Sequence, residues 1–189
     1  LEKATEVDDR FFAAVCLTEQ VNVAMMIGKS ENAYERLQSA VADWRAIGDP
    51  RFTAFGLNFL GQSAMILGRY DEARTALEES VALNISVGAR WNLGSAYHGL
   101  GAVAQAQGKH QQAVDMFRKS LDTFTELGGS WWVARVLAEM GRSILAVGNE
   151  AGAKGVWHES LRIATETHGT PVALEALGGL GSLQAKRGN

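Results

Sequence analysis

Three groups of residues in this sequence are of types that can carry out chemistry. Gly28, Lys29 and Ser30 resemble the end of a phosphate-binding loop, in which backbone amides and a lysine hold nucleotide phosphates. The single cysteine, Cys16, is a candidate nucleophile if its thiolate is stabilised. Four histidines are candidates for metal binding or proton transfer, namely His98, His110, His158 and His168.

None of these groups is completed by the residues that its chemistry requires. The phosphate-binding motif needs a glycine five residues before Gly28, where Val23 stands. The histidines have no spacing typical of a metal site, and no set of nucleophile, base and orienting group can be assembled from the sequence. We therefore predict a protein that is not an enzyme and that has no cofactor and no metal.

The composition narrows the class of partner. The formal net charge is −3 and the isoelectric point is near 5.8, so the chain has no excess of basic residues with which to bind nucleic acid directly. Its apolar runs, such as 11–17, are far shorter than the roughly 20 residues of a membrane-spanning helix. One cysteine cannot form an internal disulfide. These features predict a cytoplasmic protein that uses neither membrane nor nucleic acid as a partner.

Glycines recur through the chain at one constant spacing, without insertion or deletion. Alanine follows five residues after each of the first four glycines, and a large apolar residue follows four residues later. Residues four apart lie on one helical face, so this pattern predicts a helix after each glycine. The three columns are Gly28, Gly68, Gly108, Gly148 and Gly188; Ala33, Ala73, Ala113 and Ala153; and Leu37, Leu77, Phe117 and Trp157.

A second glycine column precedes each turn and predicts a second helix. Gly61, Gly101, Gly141 and Gly181 each follow an apolar stripe with helical period. The second copy therefore contains helix A, at about 52–67, and helix B, at about 71–87, joined by a turn at Gly68 in the left-handed conformation. A glycine within a helix allows close approach of a neighbour, so we expect Gly61 to face Ala73. In this register Cys16 lies in a column of small residues and is predicted to be a packed thiol.

This pattern resembles the tetratricopeptide repeat, whose signature includes W-x2-L-G and then A-x3-F. Leu57-x2-Leu60-Gly61 and Ala73-x3-Leu77 reproduce its spacing. The period of 40 exceeds the usual 34 or so, and the closing proline is absent. This long form resembles the helical sensor arms of large bacterial signalling and transcription regulators. The resemblance implies an all-α fold, a right-handed α-α superhelix of antiparallel helix pairs.

The register predicts a single repeat domain over residues 1–189. Residues 1–10 align with the end of a B helix, so we expect the chain to be a fragment of a longer protein. The predicted repeats are 11–50, 51–90, 91–130 and 131–170, followed by a partial repeat at 171–189.

The resemblance implies a binding groove lined by the A helices, because repeat proteins bind on the concave side. We expect amides in this groove to hold a peptide backbone and arginines to hold a carboxylate. The alternative for each residue is an ordinary solvated side chain. The predicted groove residues are Asn22, Phe55, Asn58, Phe59, Gln62, His98, Arg135, Glu139 and Arg142.

Trp91 and Trp131 occupy one column at the start of the A helices. An aromatic pair at the mouth of a groove is suited to a ligand or partner. Two such rings are equally suited to fill the space between a long B helix and the following A helix, and we favour that packing role.

These features together predict a non-catalytic scaffold that binds a protein or peptide, as the sensor or assembly arm of a multidomain signalling regulator. Two alternatives remain open at this point. One is a repeat domain that senses a small molecule through aromatic groove residues. The other is a homo-oligomer that forms through exposed terminal helices.

Overall fold

The computed structural model describes residues 16, 20 and 30–187 of the chain, and every element in this part is a helix. The eight helices are α1 (Ser30–Ile47), α2 (Pro50–Ile66), α3 (Tyr70–Val87), α4 (Arg90–Ala106), α5 (His110–Glu126), α6 (Ser130–Ala146), α7 (Glu150–Glu166) and α8 (Thr170–Arg187). Each contains 17 or 18 residues. The even-numbered helices are A helices and the odd-numbered ones are B helices, which confirms the all-α prediction.

A turn with a glycine of positive φ occurs every 20 residues from Gly48 to Gly148. The sequence analysis predicted one such turn in each repeat of 40 residues, the turn at Gly68 and its equivalents. Gly68 has φ 74°, the left-handed conformation expected for it. The turns from B to A use the same geometry, as at Gly88 with φ 69°. Glycine adopts this conformation without steric cost, so it ends a helix and allows the chain to reverse. The full series is Gly48, Gly68, Gly88, Gly108, Gly128 and Gly148.

His168 occupies the next position in this series and has φ 55° without being glycine. A side chain in the left-handed region costs about 1–2 kcal/mol. We expect His168→Gly to remove this cost and to raise the free energy of unfolding by about 1 kcal/mol. The gain is smaller than the full cost because glycine adds entropy to the unfolded chain. Urea unfolding followed by circular dichroism measures this change. Gly148→Ala, at φ 87°, is the matched control and should destabilise. A loss of stability in His168→Gly would contradict the prediction.

The described residues form two compact units, with the boundary between residues 92 and 93. In the first unit, α2 packs against both α1 and α3. In the second unit, α6 packs against α5, α7 and α8, and α7 also packs against α8. Short turns join helices that pack side by side, so consecutive helices in each unit are antiparallel.

The glycines within the A helices make room for one large side chain from the following B helix. A Cβ at Gly61 would lie 2.5 Å from Leu77 Cγ and 3.1 Å from the carbonyl oxygen of Ala73. The predicted approach to Ala73 is therefore confirmed, but the closer neighbour is Leu77. In the next two repeats the same space is taken by Phe117 against Gly101 and by Trp157 against Gly141.

A column of buried serines also ties each B helix to its A helix. Ser80 Oγ donates to the carbonyl of Ala54 at 2.8 Å, and Ser160 Oγ donates to the carbonyl of Ala134 at 2.7 Å. Ser120 makes the same bond with Gly94. Each hydroxyl is buried and satisfied by a helix carbonyl, which fixes the register of the two helices.

Two further findings concern Cys16 and the membrane. The prediction that Cys16 is a packed thiol is wrong, because it is exposed although its column is buried at Ala96 and Ala176. The prediction rested only on the small residues in this column, and most of the sequence around Cys16 lies outside the described residues. Within residues 30–187, no helix is long and apolar enough to span a bilayer.

Candidate functional site

The predicted groove residues in the first unit form an aromatic pair beside a buried amide. The rings of Phe55 and Phe59 lie 4.9 Å apart, and both residues are partly exposed on α2. Gln62 Nε2 donates to Asn58 Oδ1 at 3.3 Å. Asn58, which was predicted to line the groove, is only 3% exposed, so its amide is buried and not open to a partner. Asn22 lies outside the described residues.

In the second unit, the predicted residues gather around the carboxylate of Glu139. His98 Nε2 lies 3.0 Å from Glu139 Oε2, and Arg135 Nε lies 3.2 Å from Glu139 Oε1. The Glu139 and His98 side chains are only 12% and 10% exposed, so His98 belongs to the floor of the site rather than to its surface. The His98 ring lies at ion-pair distance from the Glu139 carboxylate but is not aligned for a hydrogen bond with it. The two groups form an ion pair only when the His98 ring is protonated.

The cluster extends beyond Glu139 through two further residues that the sequence analysis did not include. Gln105 Nε2 donates to the carbonyl of Glu139 at 3.0 Å and to Ser143 Oγ at 2.8 Å. Arg142 Nη2 donates to Gln105 Oε1 at 3.4 Å, and Arg142 Nη1 lies 2.9 Å from Glu175 Oε1. Side chains from α4, α6 and α8 thus form one network, which we call the Glu139 cluster: His98, Gln105, Arg135, Glu139, Arg142 and Glu175.

The two carboxylates of the cluster have opposite pKa shifts. Burial disfavours ionisation of Glu139, but the combined effect of His98, Arg135 and Arg142 outweighs it and holds the Glu139 pKa below its usual value. Burial raises the pKa of Glu175, the negative charge of Glu139 raises it further, and Arg142 offsets only part of this. Glu139 therefore keeps its negative charge to lower pH than an exposed glutamate, whereas Glu175 takes up a proton more readily.

We expect a carbon-detected NMR titration to separate the two carboxyl groups. Glu139 should titrate below, and Glu175 above, an exposed glutamate of the same chain. The lowered pKa of Glu139 stabilises the fold above the unfolded-state pKa, and this contribution is lost as the pH falls through the folded-state pKa. For Glu175 the sign is reversed, since its raised pKa favours the protonated fold. Identical titration of the two groups would contradict the electrostatics described here.

Aromatic rings border the cluster at the start of α6. Trp132 stacks on Phe124 at 5.0 Å with an interplanar angle of 13°, and Trp131 meets Trp132 edge-on at 5.1 Å. The guanidinium of Arg135 lies 5.7 Å from the Trp131 ring centre, a cation–π distance. Trp131 nevertheless stays 38% exposed, so it serves packing on one side and faces solvent on the other. Trp91, in the other unit, is 47% exposed.

Glu175 and Gln105 were missed for different reasons. Glu175 stands one full repeat after Arg135, so extending that column to the last repeat identifies it. Gln105 occupies a column held by Met65 and Leu145, and a lone polar residue in an apolar column is the only signal for it.

The Glu139 cluster presents guanidinium groups that can bind acceptor groups of a ligand. The side chains of Arg135 and Arg142 are 41% and 54% exposed, and their guanidinium groups are oriented by carboxylates behind them. Guanidinium groups bind carboxylates and backbone carbonyls by paired N–H donors. Among the described residues, no three His, Cys, Asp or Glu side chains come together as metal ligands.

Comparisons with known proteins agree with this architecture. Residues 51–126 match a tetratricopeptide repeat family model. No curated protein matches the chain in sequence. The crystal structure of nearly identical TPR-like repeats of a putative kinesin light chain from Podosopora anserina matches 91% of this chain and 89% of that one, with 18% identity and a TM-score of 0.71.

Two further solved structures are similar at the level of the fold. BtubC (BKLC) from P. vanneervenii has 18% identity and a TM-score of 0.70, over 97% of this chain and 81% of that one. A signal transduction ATPase with numerous domains and a tetratricopeptide repeat sensor, from Pyrococcus horikoshii, has 18% identity and a TM-score of 0.76. That match covers all of this chain but 30% of the other. The tetratricopeptide repeat family model thus matches residues 51–126, and the repeated helix pairs have the fold of these neighbours.

Proposed function

We propose that the chain is a non-catalytic scaffold that binds a protein or peptide at the Glu139 cluster. The observation that carries this proposal is the pair of partly exposed arginines, Arg135 and Arg142, each held from behind by a carboxylate. Ordering a long side chain on binding normally costs about 0.5–1.5 kcal/mol. Because the ion pairs already restrict these arginines, less of that cost falls on the complex.

The exposed ring of Trp131 adds an apolar contact beside these donors. Tryptophan and arginine are the residue types most often responsible for the binding energy of protein interfaces. A peptide segment with a carboxylate or free backbone carbonyls next to an apolar side chain matches this arrangement. The net charge of −3 provides little attraction for nucleic acid.

We further propose that this scaffold is the sensor or assembly arm of a multidomain signalling regulator. The fold similarity to a signal transduction ATPase with a tetratricopeptide repeat sensor supports the idea, at 18% identity. A repeat array without its own chemistry suits a part that detects a partner for another module. Sequencing the coding region on either side tests this point, since the proposal requires a neighbouring ATPase or DNA-binding module.

The binding proposal is tested with peptides selected from a random displayed library against the intact chain. We expect Arg142→Glu to weaken the selected peptides by about tenfold or more, equal to about 1.4 kcal/mol, because it reverses the charge next to Glu175. Isothermal titration calorimetry measures the change. Arg118→Glu makes the same charge change at an exposed position of α5 and should leave affinity unaltered. Equal affinity for wild type and Arg142→Glu would exclude the cluster as the binding site.

A further inference from the structure

Arg142 in the Glu139 cluster is shared between two acceptors of different strength. Its Nη1 lies 2.9 Å from Glu175 Oε1, whereas its Nη2 donates to the amide oxygen of Gln105 at 3.4 Å. The Arg142 side chain is 54% exposed and that of Glu175 is 30% exposed. A partner's carboxylate that approaches Arg142 from solvent therefore meets a guanidinium that already pairs with Glu175. The two carboxylates compete for one cation.

Glu175 relies on Arg142 more than Glu139 does. Glu139 lies against His98 and Arg135, at 3.0 and 3.2 Å. The ion pair of Glu175 is with Arg142, whose charge offsets part of the rise in the Glu175 pKa caused by burial and by Glu139. A partner carboxylate bound to Arg142 cancels that offset and adds another negative charge. Like charges at close range disfavour ionisation, so Glu175 then binds a proton more readily.

The charged groups of α6 and α7, the two helices packed against α8, either belong to the cluster or face away from Glu175. The charged residues of α6 are Arg135, Glu139 and Arg142. The charged or titratable residues of α7 are Glu150, Lys154, His158, Glu159, Arg162 and Glu166. The first three of these line a groove beside Leu177, which lies about 200° around α8 from Glu175. The last three pair with one another at the groove towards α5.

A second group of the cluster is able to take up a proton. Histidine side chains titrate near neutral pH, and α4 brings His98 to within 3.0 Å of Glu139. His98 is therefore the alternative proton acceptor to Glu175.

We propose that the Glu139 cluster binds a carboxylate of its partner peptide at Arg142 and takes up a proton at Glu175 as it does so. The proton comes from solvent, and the neutral Glu175 carboxyl leaves Arg142 to the partner's carboxylate. The inference rests on the proposed function, since it concerns the same site. Its consequence is a partner that binds more tightly as the pH falls from neutral to mildly acidic.

The pH range of the effect follows from linkage between proton and peptide binding. Proton uptake occurs between the Glu175 pKa of the free chain and the higher Glu175 pKa of the complex. Affinity rises as the pH falls through the pKa in the complex, and it levels off below the pKa in the free chain. The rise is at most about tenfold per pH unit, because one proton is involved.

Calorimetry with a selected peptide tests this coupling. The peptide is the tightest binder from the displayed library that contains an acidic residue, made with both ends blocked. Titrations between about pH 5 and pH 8, in two buffers of different ionisation enthalpy, give the number of protons taken up. We expect net uptake and an affinity about threefold or more higher at the acidic end. The peptide with a free carboxyl end, and the peptide with its acidic residues changed to amides, show whether a side chain or the terminus supplies the carboxylate.

Glu175→Gln identifies the proton acceptor. Glutamine keeps the size of glutamate and a hydrogen-bond acceptor but does not take up a proton, so this variant should bind without net proton uptake. Its affinity should no longer rise as the pH falls, whereas uptake at His98 would persist. Glu166→Gln is the matched control at a glutamate of α7 whose side chain is 59% exposed, and it should keep the wild-type proton uptake. Thermal unfolding followed by circular dichroism shows that both variants fold.

Carbon-detected NMR of the wild-type chain gives a second measurement that needs no variant. The Glu175 carboxyl should titrate at higher pH with the peptide bound than without it. The proposal is overturned if this titration does not move, if peptide binding takes up no proton, or if uptake persists in Glu175→Gln. It is also overturned if the selected peptides bind without any carboxylate, a result that leaves the proposed function intact. Failure to select any peptide would instead remove the proposed function, and this coupling with it.

Discussion

Trp157→Ala is expected to lower the free energy of unfolding by about 3–5 kcal/mol, the range for removing a large buried aromatic side chain. Trp157 is 1% exposed and fills the space left by two glycines, Gly141 of α6 and Gly179 of α8. Its Nε1 also donates to the carbonyl of Ala138 at 2.9 Å. The substitution therefore leaves a cavity and removes a buried hydrogen bond. Urea unfolding followed by far-ultraviolet circular dichroism measures the loss.

Trp157→Phe is the control for this prediction. Phenylalanine already fills the equivalent space at Phe117, so this variant should lose much less stability than the alanine variant. It keeps the ring contact but lacks the donor to the Ala138 carbonyl. A loss of less than about 1 kcal/mol in Trp157→Ala would show that the site collapses freely, contrary to the close packing described here.

Gly101→Leu is expected to destabilise by about 3 kcal/mol, at or above the upper end of the usual range for overpacking. Even a Cβ at this position would lie 2.7 Å from the ring of Phe117, which is itself fully buried. The ring has no free space into which to move, so α4 and α5 must separate. Thermal unfolding and urea unfolding both report this change.

The same substitution at Gly155 should have the opposite sign. Gly155 lies within α7 and a Cβ there meets nothing within 4 Å, so leucine gains helix propensity of up to about 1 kcal/mol without a clash. The contrast between the two variants separates the effect of close approach from the effect of glycine in a helix. If both variants were stabilised, the interior glycines would not be contact points.

The positions of helices and turns could be predicted from the sequence because the repeat has a constant length. The B helix predicted at about 71–87 is observed as Tyr70–Val87. The turn at Gly68 was predicted for the same reason, since glycine is the residue that favours a positive φ. The turn at Gly88 was not predicted, although Gly48, Gly88 and Gly128 recur at the same spacing, because this series is interrupted by His168 in the last repeat.

The sequence was a poorer guide to which face of an A helix is buried and which is exposed. The A helix α2 packs between two B helices, α1 and α3, so its buried arc is wider than the stripe of Leu57 and Gly61 suggests. Asn58 lies next to that stripe and is buried for this reason. Pairings such as Arg142 with Glu175 depend on side-chain rotamers and on the distance between helices. A column alignment contains neither quantity.

The regular spacing of left-handed turns has a consequence for how such a gene can change. Because each helix and each turn from Gly48 to Gly148 has nearly the same length, any two points separated by one full repeat have the same local structure. Unequal recombination between such points removes or duplicates one helix pair. It joins equivalent positions of two repeats, so no new loop is created. Repeat arrays grow and shrink in this way since each pair contacts mainly its neighbours. Recombination at any other spacing would rotate the apolar faces out of register.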